Sequence, residues 1–222
     1  MGNVTSVLMG VSSLLAGARW LKEGLTPKSK AKASSLQAVS VATPSGKGGG
    51  MRHTTYTVNT IEDRIRHIVG LIQKGRDDPR VRKLTAQLLS KKCGDEWCTP
   101  EKNAKAEVET IFAAVRQHVR YTRDTYGKDL YQHPMRTLEF GAADCDDFAI
   151  VLSSMIQSVG FPVKLRVIRT KGAADWNHIY VLVGLPARAP KKWFPLDASV
   201  DKGPWWQAPK SMVAAHRDFL VP

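Results

Sequence analysis

Residues 141–149, which read Gly-Ala-Ala-Asp-Cys-Asp-Asp-Phe-Ala, open a helix whose limits are marked by the sequence itself. Asp144 is a residue type that caps helix N-termini, and Gly160 followed by Pro162 ends the pattern. Between these limits apolar residues recur at helical spacing: Phe148, Val151, Leu152, Met155, Ile156 and Val159. Cys145 is therefore predicted to lie in the first turn of a buried helix.

Cys145 has the surroundings of a candidate nucleophile, with one opposing feature. The positive end of the helix dipole and the unpaired N–H groups of a first turn favour a thiolate. Asp144, Asp146 and Asp147 oppose it, because their negative charges disfavour another anion nearby. The helix end alone therefore does not activate the thiol, and a partner imidazolium is needed.

Three strands predicted after this helix supply candidate partners. Residues 163–169 alternate apolar and basic side chains, and further strands are predicted over residues 178–184 and 191–197. If the last two strands form a symmetric hairpin that pairs residue 184 with residue 191, His178 lies opposite Asp197. The carboxylate then accepts from one ring nitrogen while the other nitrogen faces the thiol. A single bulge would shift this pairing.

Each of these three residues also has an ordinary structural interpretation. A cysteine at a helix start is often a small buried hydrophobe, and a histidine at a strand start is often a hydrogen-bonded structural residue. Asp197 by itself could be a turn residue. The joint arrangement of Cys145, His178 and Asp197 favours a catalytic site over three separate structural roles.

The preceding residues predict several helices. An apolar stripe over residues 61–72 follows Thr60, with Asp63 in the capping-box position. A second helix begins at Asp78 with Pro79 in its first position, and a third follows Pro100. Helices followed by a central helix and an antiparallel meander predict an α+β fold.

Composition divides the chain into three predicted parts. Residues 1–24 form an amphipathic N-terminal segment, residues 25–53 a flexible basic linker, and residues 54–222 the globular domain. The formal net charge is +13, and 43% of the 222 residues are hydrophobic, which excludes a wholly disordered chain and a polytopic membrane protein.

The N-terminal segment is predicted to dock on a protein partner or a membrane surface. A cleaved signal peptide and N-myristoylation are alternatives that the sequence leaves open. Nucleic acid is disfavoured as a partner, because no aromatic residue between Leu21 and Gly50 offers a platform for base stacking.

The other candidate functional residues are two cysteines and three tryptophans. Cys93 and Cys98 could form a local disulfide or half of a metal site, but no second Cys/His pair at zinc-ligand spacing is present. We interpret them as loop thiols and predict neither a metal nor a cofactor. Aromatic side chains near His178 and after Asp197 could bind an extended substrate or could instead cover the sheet edge: Trp176, Trp205 and Trp206.

Four segments between Ala104 and Ala198 resemble the transglutaminase-like superfamily, a branch of the papain-like cysteine enzymes. They are residues 141–149, residues 160–163 (Gly-Phe-Pro-Val), residues 177–181 (Asn-His-Ile-Tyr-Val) and residues 193–198 (Trp-Phe-Pro-Leu-Asp-Ala). The resemblance implies a papain-like core in which Cys145 is the nucleophile, His178 the base and Asp197 the acid that orients it. It also implies that the backbone N–H of Cys145 donates to the oxyanion, with no second donor assigned.

One position departs from the family pattern. The residue before the family's Asp-Cys pair is commonly Gly, and here it is Ala143. Because Gly permits backbone angles that Ala resists, the turn that enters the helix could differ.

The resemblance implies a thiol-dependent acyl-transfer enzyme. We expect hydrolysis of peptide or cell-wall-type amide bonds, since the chain lacks room for the additional domains of large cross-linking transglutaminases. Protein cross-linking is one alternative, and a structural or adaptor role in a virion or envelope assembly is another. The short basic format resembles that of bacterial and phage members, so we expect the bacterial cytoplasm or a phage virion, with export left open.

Overall fold

The structure is a computed structural model that describes residues 37–44, 51–125 and 128–222. For residues 37–44 and 51–56 it describes the backbone only. The amphipathic segment predicted at residues 1–24 lies outside the described residues, so its docking role stays a prediction.

Five helices lie within the described residues, and local sequence signals explain where they begin. The Thr60 hydroxyl accepts from the Asp63 N–H at 3.1 Å, and the Asp78 carboxylate accepts from the Arg80 N–H at 2.8 Å. Asp144 caps the central helix, as the sequence predicts. The helices are α1 (Ile61–Arg76), α2 (Pro79–Leu89), α3 (Ala104–His118), α4 (Pro134–Phe140) and α5 (Cys145–Ser158).

The largest sheet of the described chain has four antiparallel strands in the order β10-β9-β8-β11. Its strands are β8 (Val163–Thr170), β9 (His178–Leu185), β10 (Lys192–Leu196) and β11 (Val213–Val221). The smaller sheets contain β1 (Gln37–Pro44), β2 (Met51–Val58), β3 (Lys92–Cys93), β4 (Glu96–Trp97), β5 (Arg120–Tyr121), β6 (Asp129–Gln132) and β7 (Ala142–Ala143). Helices packed against an antiparallel sheet confirm the predicted α+β class.

Strands β1 and β2 differ from the predicted linker. They pair with each other antiparallel, and β1 also pairs in parallel with β6. Small and polar residues predict a flexible linker over residues 25–53, but Val39, Val41 and Thr43 in β1 are of types enriched in strands. The domain boundary near residue 53 itself stays a prediction.

The interpretation of Cys93 and Cys98 as loop thiols is wrong. The two residues form a disulfide across the tight hairpin of β3 and β4, whose turn contains Gly94 at φ +68°. Cys145 is therefore the single free thiol, because the sequence contains three cysteines.

Helix α5 forms the centre of the core. It packs against α1 to α4 and against β9. Ile150, Val151 and Ile156 are fully buried, and the Ser154 hydroxyl donates to the carbonyl of Ile72 in α1 at 3.2 Å. None of the helices in the described part of the chain combines the length and the apolar character needed to span a bilayer.

The contact between α1 and α5 predicts opposite effects for two glycine substitutions in α1. A Cβ at Gly75 would overlap Pro134 and lie 2.5 Å from the Ser154 Oγ, whereas a Cβ at Gly70 would meet nothing within 4 Å. We expect Gly75→Ala to lower the free energy of unfolding by about 1–3 kcal/mol through overpacking. Gly70→Ala should raise it by about 0.5–1 kcal/mol through helix propensity. Urea unfolding of both variants tests the contact, and equal effects would contradict it.

Candidate active site

Cys145 lies at the N-terminus of α5, where capping bonds fix the backbone. The Asp144 Oδ1 accepts from the N–H groups of Asp146 at 3.0 Å and Asp147 at 3.2 Å. The N–H of Cys145 is not one of the two N–H groups that donate to the Asp144 carboxylate. The backbone N–H of Ile179, at the start of β9, lies near enough to the sulfur to lower the pKa of the thiol. The thiol therefore lies beside the residue that follows His178.

The surroundings of Cys145 favour a neutral thiol. Burial raises the pKa of Cys145 well above its ordinary value, and the negative charges of Asp146 and Asp144 raise it further. The Ile179 N–H acts in the opposite direction, because it stabilises a thiolate. These effects agree with the sequence argument that the helix end does not by itself activate the sulfur.

His178 and Asp197 form a short buried hydrogen bond. The distance from the His178 Nε2 to the Asp197 Oδ2 is 2.6 Å, and the two residues are 8% and 3% exposed. Because an ionised carboxylate only accepts, the Nε2 carries the hydrogen, and Nδ1 is the ring nitrogen left for other partners. The predicted association of these two residues is thus present.

The predicted strand register is wrong, although the face of the sheet is right. The hairpin pairs Lys192 with Leu185 and Leu196 with Val181, so its loop runs from Pro186 to Lys191, one residue later than predicted. Moving the loop by one residue shifts the pairing by two, and a shift of two keeps each side chain on the same face. Asp197 therefore follows the end of β10 and reaches His178 diagonally.

Ser199 is a residue of the site that the sequence analysis missed. Its hydroxyl donates to the Asp197 Oδ1 at 2.7 Å, and its backbone N–H contacts the same oxygen at 3.2 Å. These bonds hold one carboxylate oxygen while the other faces His178. A signal for this was present, because an Asp side chain often bonds to the backbone two residues later.

Charges around His178 favour its protonated form. Burial lowers the pKa of His178, but the negative charge and hydrogen bond of Asp197, together with the charge of Asp146, raise it above its ordinary value. An imidazolium formed by taking a proton is therefore stabilised at this position.

A small pocket lies beside Cys145 and Asp197, and His178 is not among the residues that line it. Among the residues that line it are Cys145, Ile179, Asp197 and Ser199. Tyr180 also lines it, and its ring lies 5.9 Å from the His178 ring, centroid to centroid. The pocket thus lies between the first half of α5, the start of β9 and the end of β10.

The three tryptophans are not part of this pocket lining. The Trp205 indole N–H donates to the Glu109 Oε1 at 2.6 Å, and its ring packs edge-on against Phe194. Trp206 packs near Val200, and Trp176 is half-buried against the core. Their predicted role in substrate binding stays a prediction, and the observed contacts are those of packing.

Within the described residues, one group of side chains has atoms close enough to hold a metal ion. Ligand atoms of Asp144, Cys145 and Asp146 lie within 4.8 Å of one another. Asp144 already uses one carboxylate oxygen for the helix cap, which leaves a poor ligand set. The predicted lack of a metal is neither supported nor opposed by this geometry.

Comparison with known families finds one match, which covers the central part of the chain. Residues 91–198 match the model described as the Transglutaminase-like superfamily, which confirms the resemblance and extends it upstream to the disulfide hairpin. Over this region the chain is similar to that superfamily. A comparison with curated protein sequences found no significant match.

Several solved structures are similar to this chain at low sequence identity. LapG of Legionella pneumophila in an EGTA-treated form is 18% identical, with a TM-score of 0.45 covering 71% of this chain and 86% of that chain. Its calcium-bound form is 20% identical, with a TM-score of 0.45 covering 70% and 87%. A candidate cysteine protease from Cytophaga hutchinsonii is 15% identical, with a TM-score of 0.40 covering 74% and 55%. Similarity at this level carries no argument about activity.

The charge of Asp146 predicts a change in thiol reactivity. Asp146→Asn should lower the pKa of Cys145, because Asp146 is the charged residue that raises it most. Below that pKa, each unit of decrease raises the thiolate fraction about tenfold. We expect alkylation by iodoacetamide at pH 8 to be about three- to tenfold faster, measured by mass spectrometry. Asp95→Asn in the exposed β3–β4 hairpin is the control, and equal rates in both variants would contradict the electrostatic account.

Proposed function

We propose that the protein is a thiol-dependent acyl-transfer enzyme that hydrolyses peptide or cell-wall-type amide bonds. Cys145 is the nucleophile, His178 the general base and acid, and Asp197 the residue that orients His178. The observation that carries the proposal is the buried 2.6 Å hydrogen bond between His178 and Asp197, beside the pocket that Cys145 lines.

The first step transfers the thiol proton. The Nδ1 of His178 takes the proton from Cys145 as the sulfur attacks the carbonyl carbon, and the carbonyl electron pair moves onto oxygen. Because the pKa of Cys145 is raised, the thiol is neutral before the reaction. Proton transfer therefore accompanies attack, and no thiolate has to form beforehand. Asp197 stabilises the imidazolium that results.

The second half of the reaction releases both products. The imidazolium donates its proton to the leaving amine as the C–N bond breaks, which leaves a thioester on Cys145. His178 then removes a proton from water, whose oxygen attacks the thioester. The C–S bond breaks as the imidazolium returns that proton to the sulfur, which releases the carboxylic acid and restores the thiol. With an amine in place of water the same steps would cross-link two molecules, so the acyl acceptor decides between hydrolysis and transglutamination.

The disulfide bears on where the protein works. Disulfides such as Cys93–Cys98 persist in oxidising surroundings and are rare in a reducing cytoplasm. This favours the export or virion setting over the cytoplasmic one. A virion or envelope scaffold remains a rival function and requires no turnover at Cys145.

Substitution of Cys145 and of His178 tests whether the protein is an enzyme. The probe is p-nitrophenyl acetate, whose release of p-nitrophenolate reports acylation. We expect Cys145→Ala to abolish release and His178→Ala to slow it by about 10²–10⁴-fold, because proton transfer is lost. His216→Ala, on the exposed side of β11, is the control and should keep the wild-type rate.

Two further measurements decide between the rival functions. Incubation with peptidoglycan stem peptides, followed by mass spectrometry, detects hydrolysis as new amines, and a fluorescent primary amine detects cross-linking as incorporation. Wild-type protein that releases no p-nitrophenolate would overturn the enzyme proposal and leave the scaffold.

The pH dependence of acylation follows from the pKa of His178. The base must be neutral to accept the thiol proton, and Asp197 helps raise the pKa of His178 above its ordinary value of 6.5. The rate should therefore fall as the pH drops through a midpoint above 6.5. Asp197→Asn removes the charge that raises this pKa, so its midpoint should lie at lower pH. A midpoint that is the same in wild type and Asp197→Asn would contradict the pairing.

Substitution of Ser199 should slow acylation less than substitution of His178 does. Ser199→Ala removes the hydroxyl that holds the Asp197 Oδ1, while the bond from Asp197 to His178 can still form. We expect acylation to slow by about three- to tenfold, consistent with loss of one hydrogen bond of about 1 kcal/mol. Ser90→Ala, at the exposed end of α2, is the matched control. A Ser199→Ala variant with the wild-type rate and pH midpoint would show that Ser199 does not position Asp197.

A further inference from the structure

We propose that helix α3 positions the acid of the site through two of its side chains, Glu109 and Arg116. These side chains hold the loop of residues 197–205, which begins where β10 ends and carries Asp197. Both are positioning residues, since they act on His178 only through Asp197. The inference rests on the proposed acyl-transfer function, in which His178 is the base.

The 197–205 loop leaves the sheet at the end of β10 and returns to the same strand. The Trp205 N–H donates to the Pro195 carbonyl at 3.1 Å, which closes the loop beside the residue pair that precedes Asp197. Trp205 has φ +71°, in the left-handed region that residues other than glycine seldom adopt. A backbone conformation of this kind persists where the surrounding contacts hold it in place. Trp205 is therefore the point at which the loop is anchored.

The side chain of Trp205 is anchored to α3. Its indole N–H donates to the Glu109 Oε1 at 2.6 Å, and both residues are half-buried. A hydrogen bond to a carboxylate is stronger than one between neutral groups. The Trp205 ring also packs edge-on against Phe194 of β10, with 5.6 Å between the ring centroids. One residue thus joins the end of the loop to both the strand and the helix.

Arg116 contacts the middle of the loop from the same helix. It lies about two turns after Glu109, so the two side chains point to one face of α3. The Arg116 guanidinium donates to the Lys202 carbonyl and, at 2.8 Å, to the Asp201 Oδ1. Because the Asp201 side chain is 81% exposed, this ion pair contributes little. The bond between Glu109 and Trp205 is therefore the stronger of the two anchors.

The buried part of the loop transmits this anchoring to the carboxylate. The hydroxyl and the backbone N–H of Ser199 both bond to the Asp197 Oδ1. Asp197 and Ser199 are 3% and 4% exposed, so water does not readily replace these bonds. A loop fixed at both ends keeps the Asp197 Oδ2 at 2.6 Å from His178, and a loop released from α3 would lengthen that bond.

The experiment measures the His178 titration directly, by NMR of the imidazole signals in the full-length protein, with His178→Asn assigning the signal. Trp205→Phe removes the indole N–H but keeps an aromatic ring beside Phe194. We expect a lower titration midpoint than in wild type, because Asp197 helps raise the pKa of His178 and is held less firmly. Asp146, the other charged residue that raises it, belongs to α5 and is unaffected. Acylation by p-nitrophenyl acetate should slow by about three- to tenfold.

Variants of Glu109 test the other side of the same bond. Glu109→Leu removes the acceptor and should lower the midpoint as Trp205→Phe does. Glu109→Gln keeps an oxygen that accepts from the indole N–H, so its midpoint should return close to the wild-type value. Trp97→Phe, in the exposed disulfide hairpin, is the control and should leave the midpoint and the acylation rate unchanged. If circular dichroism shows Trp205→Phe to be unfolded, the two Glu109 variants decide.

A double variant tests whether the effect passes through Asp197. In the Asp197→Asn background the charge that the anchor positions is already absent. Trp205→Phe should therefore lower the midpoint no further than Asp197→Asn does alone. An additive shift would show that Trp205 affects His178 by another route and would overturn the inference.

The remaining outcomes separate a positioning role from a structural one and from the proposed function. A Trp205→Phe variant that unfolds at lower urea concentration but keeps the wild-type His178 midpoint would show that the anchor only stabilises the fold, and would overturn the inference. If the wild-type protein releases no p-nitrophenolate, the enzyme proposal fails. The NMR midpoints would then still decide whether α3 positions Asp197, because they require no turnover.

Discussion

Burial of α5 on nearly all sides is the constraint on which the rest of the structure depends. Helices α1 to α4 and strand β9 surround it, and Ile150, Val151 and Ile156 are fully buried. A helix enclosed in this way can neither slide nor rotate without opening cavities in a close-packed interior. Its N-terminus therefore has one position, which lies next to the start of β9 and fixes where Cys145 meets the sheet.

A buried carboxylate extends this constraint to the strand β6. Asp147 is fully buried and accepts from the backbone N–H of Gln132 at 2.7 Å and from its side-chain amide at 2.6 Å. Burial raises the pKa of Asp147, and the Gln132 bonds act in the opposite direction. Because a buried carboxylate without partners is costly, β6 is held to the first turn of α5.

The acidic first turn stabilises the fold and opposes ionisation of Cys145, the proposed nucleophile. Asp144 caps α5 and Asp147 holds β6, yet Asp144 and Asp146 both raise the pKa of Cys145. A site built around a standing thiolate would need these charges removed. In the proposed mechanism a neutral thiol gives its proton to His178, whose ring is held by the short bond to Asp197, so the acidic residues can remain.

Local chemistry predicts much of this fold, whereas long-range pairing does not follow from it. Thr60, Asp78 and Asp144 cap their helices as expected, because an N-cap depends only on the next few residues. The pairing of β1 with β6 joins residues some ninety positions apart, and no local pattern specifies it. The spacing of Cys93 and Cys98 allows either a disulfide or half of a metal site, so the spacing alone does not predict the disulfide.

The register of β9 and β10 shows why a partly wrong prediction still located a pair of residues. Side chains alternate between the two faces of a strand. A pairing shifted by one residue would therefore have put Asp197 and His178 on opposite faces, whereas the observed shift of two keeps them on the same face. The shift placed Asp197 just beyond the last paired residue, Leu196, where the backbone is free of the ladder. There the Ser199 hydroxyl and N–H take over the positioning of the carboxylate. His178 and Asp197 therefore come together because the two side chains lie on the same face of the hairpin, and any even shift of the register preserves that.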